Sequence, residues 1–299
     1  MTGSFEKTAS SGGFIRNKMF LGMSFGEYIK SLFTPLNLIA LGIIAVGIVL
    51  AVIRFSQGLG SVTNLSNYYP WGLWIGFDVL CGVALAAGGF TIASAVYIFG
   101  LKEYKLIVRP AIMTGFLGYC FVVIGLLFDL GRPWQIIVPV FVSYGTTSVM
   151  FEVAWCVFLY LIVQFVEFTP AIFEWLGWKK ARNFFNKLTI GACIFGVILS
   201  MLHQSSLGAL FLIAKDKVHP LWYSQYIPLF FFVSAVAVGI SMVIFESMLS
   251  HKFFVNKVTK DSHHQIEKLM IGLGKAGAVV LFVYFGLKWI GVVADQNMH

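Results

Sequence analysis

The sequence predicts an all-α fold, a polytopic transmembrane bundle of about seven spanning helices whose N-terminus is cytoplasmic. Three observations carry that expectation. Of the 299 residues, 59% are hydrophobic and only 11% charged, with a mean hydropathy of +0.86, a balance that water-soluble domains do not show. The apolar residues fall in seven long runs, each near or above the about 20 residues that a helix needs to cross a bilayer core. Lysine and arginine gather between alternate runs, and that asymmetry sets orientation. Lipid offers no partner for an open peptide group, so only helices and closed barrels cross it. Uninterrupted runs of this length exclude a barrel.

Residues 1–35 are mixed polar and form a cytoplasmic N-terminal segment, and residues 36–299 form one membrane domain. The start lacks the basic, apolar and small-residue succession of a cleaved signal. Apolar runs bounded by Pro, Gly, Asn or charge clusters predict helices over 36–54, 71–99, 107–128, 146–167, 188–213, 227–249 and 270–293. Seven crossings put the termini on opposite sides.

The net charge of +8 could suggest nucleic acid, but its distribution explains it without one. Fifteen basic residues lie in the N-terminal segment and the even-numbered loops: Lys7, Arg16, Lys18 and Lys30, then Lys102 to Arg109, Lys179 to Lys187 and Lys252 to Lys268. The opposite loops hold four, Arg54, Arg132, Lys215 and Lys217. The richer side is the cytoplasmic one. The other side carries Tyr68, Tyr69, Trp71, Trp74, Trp134, Tyr144, Trp222, Tyr223 and Tyr226, the composition of an interfacial aromatic belt.

An ionisable group inside a span costs roughly 2.5–3.5 kcal/mol on insertion scales, so each one asks for a reason. Asp78 falls ~10 Å into the second helix, Glu152 ~9 Å into the fourth, and His203 ~15 Å from the end of the fifth, all measured from the aromatic side. Asp129 and Arg132 flank the end of the third helix on that side and are expected to pair there. The faces around these residues are small and polar: Gly196, Ser200, His203 and Ser206 on one helix, Trp74, Asp78, Cys81 and Gly82 on another. One reading is that they bridge helices and do no chemistry. The other is a pocket for a ligand that takes up protons. Glu246, near the cytoplasmic end of the sixth helix, stands apart, and Lys288 is expected to snorkel to the aromatic-side interface.

The four cysteines, Cys81, Cys120, Cys156 and Cys193, all lie inside apolar runs, where cysteine acts as a small hydrophobe, and no CxxC metal pattern is present. No metal site is expected. A bis-histidine haem needs two histidines on facing helices, and His203 is the one histidine inside a predicted span, so no haem is expected in this chain.

Seven segments then carry a resemblance: PWGLWIGFDVLCGVALAAGGF from Pro70, GFLGY from Gly115, DLGRPW from Asp129, SYGTTSVMFE from Ser143, LHQSSLGALFLIA from Leu202, HPLWYS from His219 and MVIFE from Met242. In order and spacing they resemble the NrfD and polysulfide-reductase (PsrC) family, and within it the HybB-type membrane subunits of nickel-iron hydrogenase 2. Members of that family continue through several further helices. The resemblance implies a haem-free quinone-interacting subunit in a bacterial inner membrane. Such a subunit exchanges electrons between menaquinone and a periplasmic iron-sulfur subunit of a hydrogenase, a multihaem cytochrome c complex or a molybdoenzyme.

It assigns the chemistry to Asp78 and His203, with Glu152 behind them. Trp71, Trp74, Asp129, Arg132, Gln204, Ser206 and Tyr223 become candidates for holding the quinone, and Glu246 with Glu152 for a proton path. Two other readings stand beside it, a proton or ion transporter using the same acids and a purely structural anchor of a redox complex. The sequence shows neither internal repeats nor a Gly or Pro break in mid-span, which weighs against a transporter.

Overall fold

The computed structural model describes residues 24–69, 72–253 and 260–295. Contacts divide the chain into two units, Met1–Ser66 and Asn67–His299. Among the described residues, seven helices are long and apolar enough to cross a membrane, as the sequence predicts.

The first unit is built from two helix starts that the sequence spells out. Ser24 and Glu27 form a reciprocal capping box that opens α1 (Phe25–Leu32), the Ser24 amide donating to the Glu27 carboxylate at 2.8 Å. Thr34 then caps α2 (Pro35–Gln57), accepting from the Asn37 amide at 3.3 Å, with Pro35 in the first turn where its missing N–H costs nothing.

The second unit holds the other six spans. The second span departs from the unbroken helix expected. It is assembled from α3 (Leu73–Ile75), a π-helical stretch over Gly76–Gly82, α4 (Val83–Ala86) and α5 (Gly88–Tyr97). At its middle the Ala87 amide donates to Ala84 O at 3.1 Å, tightening the turn. A tertiary contact lies beside the tightened turn. A Cβ at Gly88 would lie 2.6 Å from Gly239 O, and one at Gly239 would lie 2.5 Å from Gly88 N, so two backbones touch where no side chain fits. In lipid the hydrophobic effect does not bring helices together, and close packing of small residues takes its place.

The remaining spans are α6 (Lys105–Asp129), α8 (Val149–Leu176), α9 (Lys179–Ile213), α10 (Ile227–Phe253) and α11 (Lys260–Ala294), with the short α7 (Val138–Phe141) between α6 and α8. Among the six spans of this unit, the second is the most buried and the seventh the least. One core cluster joins Val83, Ala87, Phe90, Tyr119, Tyr160, Leu199 and Leu207, and another joins Ile92, Val108, Cys193, Ile240 and Leu273.

The bundle has a basic end and an aromatic end. At the basic end Arg109 of α6 donates to Glu174 of α8 at 2.7 Å, and Arg182 of α9 lies 3.5 Å from the same carboxylate. Gly177, at φ +79°, closes α8 in the left-handed conformation and lets α9 begin two residues later. Trp134, Tyr144 and Trp222 are exposed at the other end.

Candidate functional site

In mid-membrane three helices are tied together by polar side chains. The face of α9 that carries Ser200, His203, Gln204 and Ser206 is buried, as its small and polar residues predict. His203 has 0% exposure. Its Nδ1 lies 3.0 Å from the Tyr119 hydroxyl on α6. With the phenol as donor, the imidazole keeps its proton on Nε2, which has no hydrogen-bond partner.

Tyr119 packs on Tyr160 of α8 with ring centroids 4.4 Å apart, and Tyr160 accepts a hydrogen bond from Gln164 Nε2. Gln164 fits because Gly115 faces it: a Cβ there would meet Gln164 Nε2 at 3.2 Å and Oε1 at 3.3 Å. Glu167, also buried, continues the same face of α8 toward the basic end. Leaving a buried polar atom unpaired costs about 1–3 kcal/mol, yet His203 Nε2, Gln204 Nε2 and Gln164 Oε1 are all left so. Unpaired groups in so apolar a setting call for a partner outside the chain.

For Gln204, such a partner has a place to sit. A cavity of about 580 Å³ lies between the second span, α9, α10 and α11, and Gln204 forms part of its wall. Its other walls include Leu80, Cys81, Trp222, Phe230 and Lys288. The Lys288 ammonium stands 5.0 Å from the Trp222 ring centroid and 5.4 Å from that of Phe230. Lys288 thus lines a cavity as well as reaching toward the aromatic end. The volume and the mostly apolar lining with a few polar groups suit a small-molecule site.

The other residues singled out in the sequence fall around this centre unevenly. Asp78 sits in the π-helical stretch, where helices often carry function. Its buried Oδ2 has no hydrogen-bond partner and packs against α6 at Gly125, where a Cβ would be 2.5 Å away. Ser206 is buried and donates to Leu202 O at 2.7 Å, which leaves its hydroxyl committed to its own helix. Tyr223 holds the Lys215 ammonium 5.1 Å from its ring centroid.

Glu152 lies exposed in the first turn of α8, at the aromatic end, and Glu246 lies late in α10, near the basic end. Asp129 ends α6, and Arg132 is exposed in the following turn. The ion pairs that join helices at the basic end are made by Glu174. Trp74 falls on α3, and Trp71 lies outside the described residues.

Four residues of the centre escaped sequence reasoning: Tyr119, Tyr160, Gln164 and Glu167. Their signal was present, since Tyr160, Gln164 and Glu167 recur at i, i+4 and i+7 within an apolar run, the spacing of a single helix face. Among the described residues no cluster of three metal-ligating side chains occurs.

Residues 61–299 match the family model described as Polysulphide reductase, NrfD. A protein of Nitratidesulfovibrio vulgaris is 53% identical over 90% of this chain and 70% of its own length. The probable Ni/Fe-hydrogenase 2 b-type cytochrome subunit of Escherichia coli is 41% identical over 83% of this chain and 62% of that protein. The menaquinone reductase integral membrane subunit of N. vulgaris is 30% identical over 80% of this chain and 57% of that protein. The chain therefore spans less than two thirds of the length of the last two. No solved structure matches it. With the family model covering the second to seventh spans, the chain belongs to the NrfD family of multi-pass integral membrane proteins.

Proposed function

We propose that this chain is the quinone-reactive membrane subunit of a respiratory oxidoreductase, exchanging electrons between menaquinone and a periplasmic iron-sulfur subunit, that of a nickel-iron hydrogenase. One observation carries the reading. The cavity wall presents an unpaired donor, Gln204 Nε2, immediately beside the His203–Tyr119 pair in an otherwise apolar interior. The names of two relatives, a hydrogenase membrane subunit and a menaquinone reductase membrane subunit, support it.

The residues present suit a naphthoquinone. Gln204 would donate to a ring carbonyl, Trp222 and Phe230 would flank the ring, and Lys288 would hold positive charge near it. A bound quinone supplies two-electron, two-proton redox chemistry. The chain's part is to orient the ring, exclude water and supply protons, with His203, next to Gln204 in the chain, and Asp78, on the second span, as candidates for proton transfer. Glu246 and Glu152 are proposed for a route from the basic end. They stand ~24 Å apart along the bundle axis, and the Tyr160, Gln164 and Glu167 stripe of α8 covers ~10 Å of that interval, on the side of the basic end.

The orientation belongs to the same proposal: the basic end is cytoplasmic. A reporter fused after Lys180 is expected to read cytoplasmic and one fused near Lys217 periplasmic, and the reverse pattern would move the cavity to the cytoplasmic half.

The decisive experiment is purification of the intact complex followed by solvent extraction and a reduced-minus-oxidised spectrum. Bound menaquinone, lost in Gln204→Leu, with no b-type haem assigned to this polypeptide, is the expected result. A stoichiometric haem on this chain, as the name of the E. coli relative would suggest, overturns the quinone-only reading. A transporter is the second reading, because the broken second span with an acid in its π-helical stretch is the kind of discontinuity transporters use. Ion movement in proteoliposomes without any electron donor would favour it.

A further inference from the structure

The cavity beside Gln204 adjoins a second one, with which it shares walls. A space of about 460 Å³ shares Leu85, Ser234, Val238 and Tyr284 with the first and runs on past Met242 and Phe245. From Ile227 at one end to Phe245 at the other, the pair follows α10 for ~27 Å at the α-helical rise, much longer than a two-ring head group needs.

Polarity falls away along it. Gln204 and Lys288 stand at the end near Trp222. Farther along, the hydroxyls in the wall are turned to their own helix: Ser234 donates to Phe231 O at 3.0 Å and Ser241 to Ala237 O at 2.9 Å. The far end reaches the lipid-facing surface, where Phe245 is 60% exposed and Leu281 53%. One polar end and one long apolar channel opening to lipid match a polyprenyl quinone, whose uncharged ring can enter beside Gln204 while the tail follows the channel.

We infer that the groove formed by the second span, α10 and α11 seats the isoprenoid tail, and that tail length is read there, apart from the head-group contacts. The inference rests on the quinone reading above. It predicts that filling the tail half of the groove discriminates between quinones by tail alone.

The test uses the full chain in its native complex, with Ser241→Phe and Met242→Trp to fill the groove and Ser241→Ala to remove only the hydroxyl. Binding is measured by quenching of tryptophan fluorescence (or by thermal stabilisation for Met242→Trp, which adds a tryptophan), with long-tailed menaquinone and with tail-free 2-methyl-1,4-naphthoquinone. Each filling variant is expected to weaken the long-tailed quinone by about tenfold, the order of cost of an overpacked site. The tail-free ring should bind as in wild type, which also certifies that the variant is folded, and Ser241→Ala should bind both normally. Equal weakening of both quinones, or of neither, overturns the inference. So does extraction showing that Ser241→Phe loses a bound phospholipid while keeping menaquinone. Failure of the wild type to bind either quinone would instead sink the quinone reading itself.

Discussion

Replacing His203 with glutamine is expected to lower donor-driven menaquinone reduction by about 10²-fold or more, the usual span of a lost general acid or base, while the protein still assembles. The side chain is fully buried, its Nδ1 is held by Tyr119, and its Nε2 is free to serve. Glutamine keeps hydrogen-bonding capacity and similar reach but cannot change its proton count in the accessible range. Tyr119→Phe removes the hydroxyl that orients the ring and is expected to give a smaller loss of the same kind. Asp78→Asn supplies the third point, since its carboxyl is the other unpaired titratable group near mid-membrane. Donor-driven turnover by the purified complex decides the matter: unchanged rates in both His203→Gln and Asp78→Asn would remove these residues from the chemistry.

A second large effect is expected from Gly239→Leu, which should leave little folded protein after detergent extraction. Even alanine at 239 would place its Cβ 2.5 Å from Gly88 N and 2.7 Å from Ala87 C, contacts with backbone that no rotamer can relieve. Overpacking a well-packed interior costs about 1–3 kcal/mol where side chains can move aside. Here the helices themselves must separate, so the penalty should reach or exceed about 3 kcal/mol. Gly274→Ala is the contrast. A Cβ at Gly274 meets nothing within 4 Å, and alanine is favoured over glycine in a helix by up to about 1 kcal/mol. Thermal unfolding of the two alanine variants, followed by size-exclusion fluorescence, should separate them in opposite directions. Equal stability would show that the crossing is looser than it is drawn.

The seven spans and their polar contents were legible because hydropathy and length act locally and lipid leaves the backbone no other choice. Helix ends were harder. The fourth span was expected to end at residue 167, whereas α8 runs on to Leu176 through Pro170, which spanning helices tolerate when neighbouring groups make good the lost hydrogen bond. That shift is why Glu167 looked like a terminal residue when it lies buried within the span. The break in the second span was invisible for another reason: it lies beside a backbone contact with Gly239, far away in sequence. Depth could be read for His203, but not for Glu152, which was expected ~9 Å into its helix and lies in the first turn because α8 begins at Val149; rotational position could not be judged against partners unknown. The structure accordingly buries His203 and leaves Glu152 exposed.

The glycine crossing also bears on how the chain is made. Gly88 and Gly239 are separated by about 150 residues, and at ~5–20 residues per second the second span waits roughly 8–30 s before its counterpart on the sixth has been synthesised. Throughout that interval its small-residue surface at Gly88 lies open inside the translocation machinery or the bilayer. Biogenesis therefore favours an insertion factor that shelters the early hairpins until the sixth span arrives, and ribosome stalling placed just before Gly239 should trap the nascent chain in a protease-sensitive form.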